Sequence, residues 1–266
     1  MVTASYDLAF SLGQACACSL VLRTANLQFA SFPLDWIARG SISLRAGLVA
    51  SRFAGWLEKE DFVYEGTNPM NGLGVFVNRR TGFQHLHDFP DRPIEESFDE
   101  VREKFRRREE RLCGALGRAR RVLCVYISRP AGPDVAPDEL ARCRKTLADA
   151  YPNATFDLVH LSCEEGRPFK DRLVRDLSEG VTQIVFDYRD PKRDVMIDDA
   201  VRAILELGVR VADPRSEAEK REFERRKAQK WRDRRLKRKM EKYGVTSRPA
   251  LLAAQAAEAV RRLFGR

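Results

Sequence analysis

The sequence lacks the features that mark a membrane or secreted protein. No apolar run approaches the roughly 20 residues that a bilayer span requires. The opening MVTASYDLAF has neither the basic stretch nor the long apolar core of a secretory signal, so the expected location is the cytoplasm. Cysteine is sparse and scattered, at positions 16, 18, 113, 124, 143 and 163, without the density of a small disulfide scaffold. In a reducing compartment these read as free thiols. Neither Gly-x-Gly-x-x-Gly nor Gly-x-x-x-x-Gly-Lys follows any strand-like run, so no nucleotide cofactor is indicated. Histidine is scarcer still, with His85, His87 and His160 alone.

What is present describes a soluble globular chain with a densely charged surface: 44% of its residues are hydrophobic and 33% charged. Its 266 residues allow one large domain or two small ones. The net charge of +9 is concentrated, since residues 215–242 hold 14 Lys/Arg against 6 Asp/Glu and the remainder is nearly neutral. The expected organisation is a main domain over 1–213 and a basic helical extension over 214–266.

Periodicity predicts a short strand at 6–10, a helix from Gln14 to about Ala25, and an irregular packed corner in FASFPLDWIA. A helix over about 44–57 and a polar connection, EGTNPMNGLG, follow. VFVNRRTGFQHLHDF reads as a hairpin, and 95–119 as a charged helix. Beyond Arg121, strands RVLCVYIS, TFDLVHLS, VTQIVFDY and VRVAD alternate with helices predicted at 137–150, 168–179 and 195–207. That alternation points to an α/β fold with parallel pairing, α+β being the alternative. A long charged helix over 216–243 and an Ala/Leu-rich helix close the chain.

The chemistry centres on SLGQACACSLVLR, residues 11–23. Residues two apart on a helix lie about 200° apart, so Cys16 and Cys18 point to opposite sides. Cys18, Val21, Leu22 and Ala25 form the i, i+3, i+4, i+7 stripe of a buried face. Cys16 faces elsewhere, with Ser19 and Arg23, in a first turn where N–H groups and the helix dipole favour a thiolate. Gly13 permits a tight turn just before it. The plainer alternative is a small residue at a crowded helix start. His85 and His87, two apart on a strand, are expected on one face, with Leu86 and Asp88 on the other. An imidazole fixed on a strand beside a helix N-terminus is a rigid way to pair with a thiol. His160 reads as a strand residue with a satisfied ring.

Four short motifs in order carry a resemblance: Ser11-Leu12-Gly13-Gln14-Ala15-Cys16, Pro33-Leu34-Asp35-Trp36, His87-Asp88-Phe89, and Arg106-Arg107 ahead of Val122. Over about residues 6–128 the chain resembles the bacterial papain-like cysteine peptidases first catalogued as a domain of unknown function. Leu34 departs from the usual Phe. The resemblance implies Cys16 as nucleophile and His87 as its base, acting on a peptide or another amide or ester substrate by acyl transfer, with no metal or organic cofactor required. Asp35 is the expected third member. Asp88, adjacent to His87, would point away from it. Gln14 or N–H groups at the helix start are candidates to hold an oxyanion.

Two other readings compete. Cys16, Cys18, His85 and His87 have the composition of a zinc centre, provided both thiols lie on one side. Residues 215–242, with Trp231 and Tyr243 interleaved, offer contact to nucleic acid or another polyanion. The plain alternative there is a solvated helix with pairs such as Glu222–Arg226.

Overall fold

The computed structural model describes residues 4–130, 132, 134–190, 195–244, 246–247, 249–250 and 252. The chain divides into two compact units, Met1–Asp213 and Pro214–Arg266. In chain order the first unit runs β1 (Ala4–Tyr6), β2 (Leu8–Gly13), α1 (Ala15–Thr24), β3 (Ile37–Ala38), α2 (Ile42–Ala50), β4 (Phe62–Thr67), β5 (Leu73–Asn78), β6 (Gln84–Pro90) and α3 (Phe98–Arg118). It continues with β7 (Arg121–Ile127), α4 (Pro137–Ala150), β8 (Thr155–Cys163), β9 (Leu173–Ser178), β10 (Val181–Phe186), α5 (Ile197–Leu205) and β11 (Val209–Val211).

A five-stranded sheet in the order β2-β7-β8-β10-β9 forms the centre, parallel except for β9 at its edge. The run Val122–Ile127 is buried at every position because helices cover both faces. On one face Val122, Cys124 and Tyr126 join Leu140 and Leu147 of α4, Ala46 and Val49 of α2 and Phe105 of α3. On the other, Leu123, Val125 and Ile127 meet Cys18, Val21 and Leu22 of α1 and Ala200 and Ile204 of α5. Burying each such Leu, Val or Ile is worth about 1.5–3 kcal/mol. A four-stranded antiparallel sheet, β3-β6-β5-β4, adds a second layer of strands, and β1 pairs with β11. The fold is α/β, as the alternation of patterns implied.

Three expectations are corrected. The helix predicted at 168–179 is one 3-10 turn, Phe169–Asp171, and strand β9. Phe169, Leu173 and Leu177 mimic helical spacing, but the chain reverses at Gly180 (φ +66) and β9 pairs antiparallel with β10. The helix predicted over 44–57 stops at Ala50, where Arg52 and Phe53 take positive φ. β4 takes in the first three residues of the stretch read as a polar connection, EGTNPMNGLG.

In the second unit α6 (Glu217–Lys242) begins at a capping box: Ser216 Oγ accepts from the Glu219 N–H, and the Glu219 carboxylate accepts from the Ser216 N–H. Glu222 pairs with Arg225 at 2.7 Å. The side chains of Arg226 and Trp231, and nearly all of the predicted closing helix, lie outside the described residues. Among the described residues no helix is long and apolar enough to cross a membrane.

Candidate active site

β2 runs straight into α1, which sets Cys16 in the first helical turn at the carboxyl edge of the parallel strands. That is the edge at which open α/β sheets present ligand-binding loops. Gly13 makes the turn at φ +104, and a Cβ there would lie 2.5 Å from Nη1 of Arg45. Gly13→Ala therefore combines backbone strain with a clash against a buried group, and is expected to lower stability by about 2 kcal/mol or more in urea unfolding. Gln14 ties the turn down. Its N–H donates to the Ile127 carbonyl at 2.9 Å, its Oε1 accepts from the Arg129 N–H, and its Nε2 donates to the Gly40 carbonyl. These bonds hold the turn rather than leave the amide for a substrate. Gln14, the N-cap residue of α1, makes no capping bond through its side chain, and no acidic residue occupies the first turn.

Within α1 the two cysteines separate as the helical geometry requires. Cys18 is fully buried and its thiol donates to the Val125 carbonyl, while burial pushes it up to about 12. Cys16 is half-buried, on the face that carries Ser19 and Arg23. That face packs on the Pro33–Trp36 corner: Ser19 Oγ donates to the Asp35 carbonyl at 2.8 Å, and Arg23 pairs with the Asp35 carboxylate at 3.0 Å. The zinc reading needs both thiols on one side, and they lie on opposite sides. Among the described residues no group of three or more His, Cys, Asp and Glu side chains could hold a metal ion.

Asp35 does not orient a histidine. Its fully buried carboxylate is filled by Arg23, by Gln28 Nε2 and by the Phe32 N–H. Burial raises its pKa in spite of these donors. The expectation of a third catalytic member at Asp35 is thus corrected: it holds the corner together, as a turn carboxylate.

The two histidines on β6 also part company. β5 and β6 pair through Gly74↔Phe89 and Phe76↔His85, so residues 86–88 stand opposite Val75 alone. This bulge overturns the strict alternation expected of a strand. His85 is turned into the core among Trp56, Phe62, Phe89 and Phe105, and its Nδ1 lies 3.1 Å from the Asp88 carboxylate. Asp88 also meets Lys104 at 2.9 Å and Arg108 at 4.0 Å, both from α3. Burial pushes Asp88 up, but the hydrogen bond and charge of His85, with Lys104, outweigh it and hold the carboxyl below the usual range. Arg106 and Arg107, the arginines of the sequence motif, instead pair with Glu103 and Glu110 on the outer face of α3.

His87, by contrast, is half-exposed. Its ring meets Trp36 edge-on, with centroids 6.2 Å apart, and Arg23 lies over the same indole at 5.7 Å. The face of α1 bearing Cys16 and the imidazole of His87 are therefore both set against one corner, Pro33–Trp36. β3 reinforces the arrangement by pairing Ile37 with His85.

Asn71 is the partner that the sequence did not point to, because its segment reads as a polar turn. Its Oδ1 accepts from the Leu73 N–H at 2.9 Å and its Nδ2 donates to the Leu86 carbonyl at 3.0 Å, which fixes the amide. Nδ2 also lies 3.0 Å from His87 Nδ1 and donates to it. The neutral ring then carries its proton on Nε2. Asn68 Nδ2 donates to the same Leu86 carbonyl, so two amides pin the bulge.

His160 stands apart. It is fully buried, with Nε2 2.8 Å from Ser128 Oγ and Nδ1 3.3 Å from Gln183 Nε2, and burial lowers it to about 4. It is a neutral, satisfied core residue, in the register row Tyr126–His160–Gln183.

Residues 7–131, just under half of the chain, match the model of a family described as "Putative papain-like cysteine peptidase". The match takes in Cys16, the Pro33–Trp36 corner, Asn71 and His87, and ends just after β7. No curated protein matches the chain.

Proposed function

We propose that a chain whose residues 7–131 match a papain-like cysteine peptidase family performs thiol-dependent acyl transfer, with Cys16 as nucleophile and His87 as acid and base. The observation that carries this reading is the shared corner. The Cys16 face of α1 and the His87 ring both pack on Pro33–Trp36, while His85 and His160 are committed to the core.

The cycle balances as follows. The lone pair on His87 Nδ1 receives a hydrogen bond from Asn71 Nδ2 at rest, and it takes the Cys16 thiol proton only once that bond is given up. The thiolate attacks the carbonyl carbon, a C–S bond forms, and the carbonyl π pair moves onto oxygen. N–H groups of the first turn of α1 are the donors for that oxyanion. The imidazolium returns its proton to the leaving nitrogen or oxygen as its bond to carbon breaks. Water, deprotonated by His87, then cleaves the thioester and restores the thiol.

An activated ester tests this without knowledge of the natural substrate. Incubation with p-nitrophenyl acetate, followed by intact and peptide mass spectrometry, is expected to place one acetyl group on Cys16. His87→Ala is expected to slow its appearance by about 100-fold, the usual scale of a lost general base. Acetylation at other residues only, or at an unchanged rate in His87→Ala, would sink the reading.

A further inference from the structure

α2 carries a charge that this reaction does not use. Arg45 is fully buried, yet among the described residues no carboxylate meets it. Its Nη2 donates to the carbonyls of Ile37 and Arg39, and its guanidinium lies 4.9 Å from the ring centre of Phe83. Nε and Nη1 meet no acceptor among the described residues. A buried cation without a counter-ion is among the costlier groups a fold can hold. Burial brings Arg45 down to about 10, which still leaves it charged at neutral pH.

The orientation of the fork is informative. The atoms that a Cβ on Gly13 would strike are Nη1 at 2.5 Å, Cζ at 2.7 Å and Nε at 3.0 Å. The two nitrogens without acceptors are therefore the two turned toward the β2–α1 turn. Three peptide links join Gly13 to Cys16, so their Cα atoms lie at most about 11 Å apart.

We propose that Arg45 is a positioning residue whose charge, held beneath the β2–α1 turn, favours the Cys16 thiolate and the oxyanion that follows it. The proposal rests on the reading of Cys16 as nucleophile. It assigns the compensating negative charge to the reaction itself, since no carboxylate among the described residues pairs with Arg45. Among the described residues, the other titratable or charged groups around this region include Cys18 on α1, Tyr126 on β7, Arg129 after β7, whose N–H donates to Gln14, Asp35 and Arg23 at the corner, Arg39 after β3, and His87 on β6. Cys18 and Tyr126 are both held neutral by burial, at about 12. Asp35 is already paired with Arg23. A unit charge about 10 Å away, at an effective dielectric of about 20, changes a thiol ionisation constant about tenfold.

The test is the pH dependence of Cys16 carboxamidomethylation in the full chain. Arg45→Met is expected to move the midpoint up by about one pH unit, so that labelling below it is about tenfold slower. Arg45→Lys, which keeps the charge and loses the fork, is expected to stay within about threefold of the native rate. If Arg45→Met does not fold, the unaltered protein decides: the Arg45 Nε resonance is expected to shift along the Cys16 titration and to lose that inflection in Cys16→Ser. Cys16 ionising in the native chain, with Arg45→Met unshifted or the Arg45 resonance flat, would overturn the proposal and leave the nucleophile reading standing. A native Cys16 that resists alkylation would instead remove the nucleophile reading, and this proposal with it.

Discussion

Iodoacetamide at about pH 6 is expected to modify Cys16 and to leave Cys18 about a thousandfold behind. A thiol held near 12, as Cys18 is by burial, has over a thousandfold less thiolate at that pH than an ordinary cysteine, and the thiolate is the reacting form. Cys124 is also fully buried and pushed well up. Burial raises Cys143, Cys113 and Cys163 as well, so they too are expected to lag behind Cys16. Peptide mapping at a series of short exposures reads all six rates in one sample. Even labelling of the six, or Cys113 and Cys163 ahead of Cys16, would reduce Cys16 to a packing residue at a helix start.

The largest effect on stability is expected from Asp88→Ala. This carboxylate is the common partner of His85, Lys104 and Arg108, with its side chain only 2% exposed. Its removal leaves buried donors without an acceptor, and breaking a buried pair in this way costs about 3–5 kcal/mol. The pH dependence follows from the direction of its shift. A carboxyl lowered by folding stabilises the native state above its unfolded value of about 3.9, and that contribution fades as pH falls through the lower folded value. The acid limb of the native stability curve should therefore be steeper than that of Asp88→Ala. Changing His85→Phe together with Asp88→Ala removes both ends of the central contact, and the double change should cost less than the sum of the two single ones. Urea unfolding at neutral and acid pH measures all of this. A loss under about 1 kcal/mol for Asp88→Ala would show that the cluster does not pin the β6 bulge. The same bulge presents His87, so acetylation of Cys16 should weaken in step with stability.

Much of this molecule is local in origin. The helical spacing of Cys18, Val21, Leu22 and Ala25 was enough to put Cys18 in the core and Cys16 on the other face, because helix geometry depends only on near neighbours. The apolar run Val122–Ile127 announced a strand for a similar reason. The charge surplus of residues 215–242 is likewise a property of one segment. His87 was preferred over His85 through the resemblance alone, since alternation on an ideal strand treats the two alike.

Tertiary structure decided the rest. A bulge of three residues against one set His85 inward and His87 outward, and it is held by partners on α3 and in the Asn68–Asn71 turn, remote in sequence from β6. Asp35 was spent on Arg23 and Gln28, which meet it only when the corner folds back on α1. Phe169, Leu173 and Leu177 kept helical spacing and still became an edge strand, because pairing with β10 satisfies backbone groups that one sequence window cannot see. Arg45 looked like any basic residue on a helix until the fold closed over it and turned two of its nitrogens toward Gly13. Face and period are properties of a segment, whereas the partner of a buried charge is chosen by whatever long-range packing brings within reach.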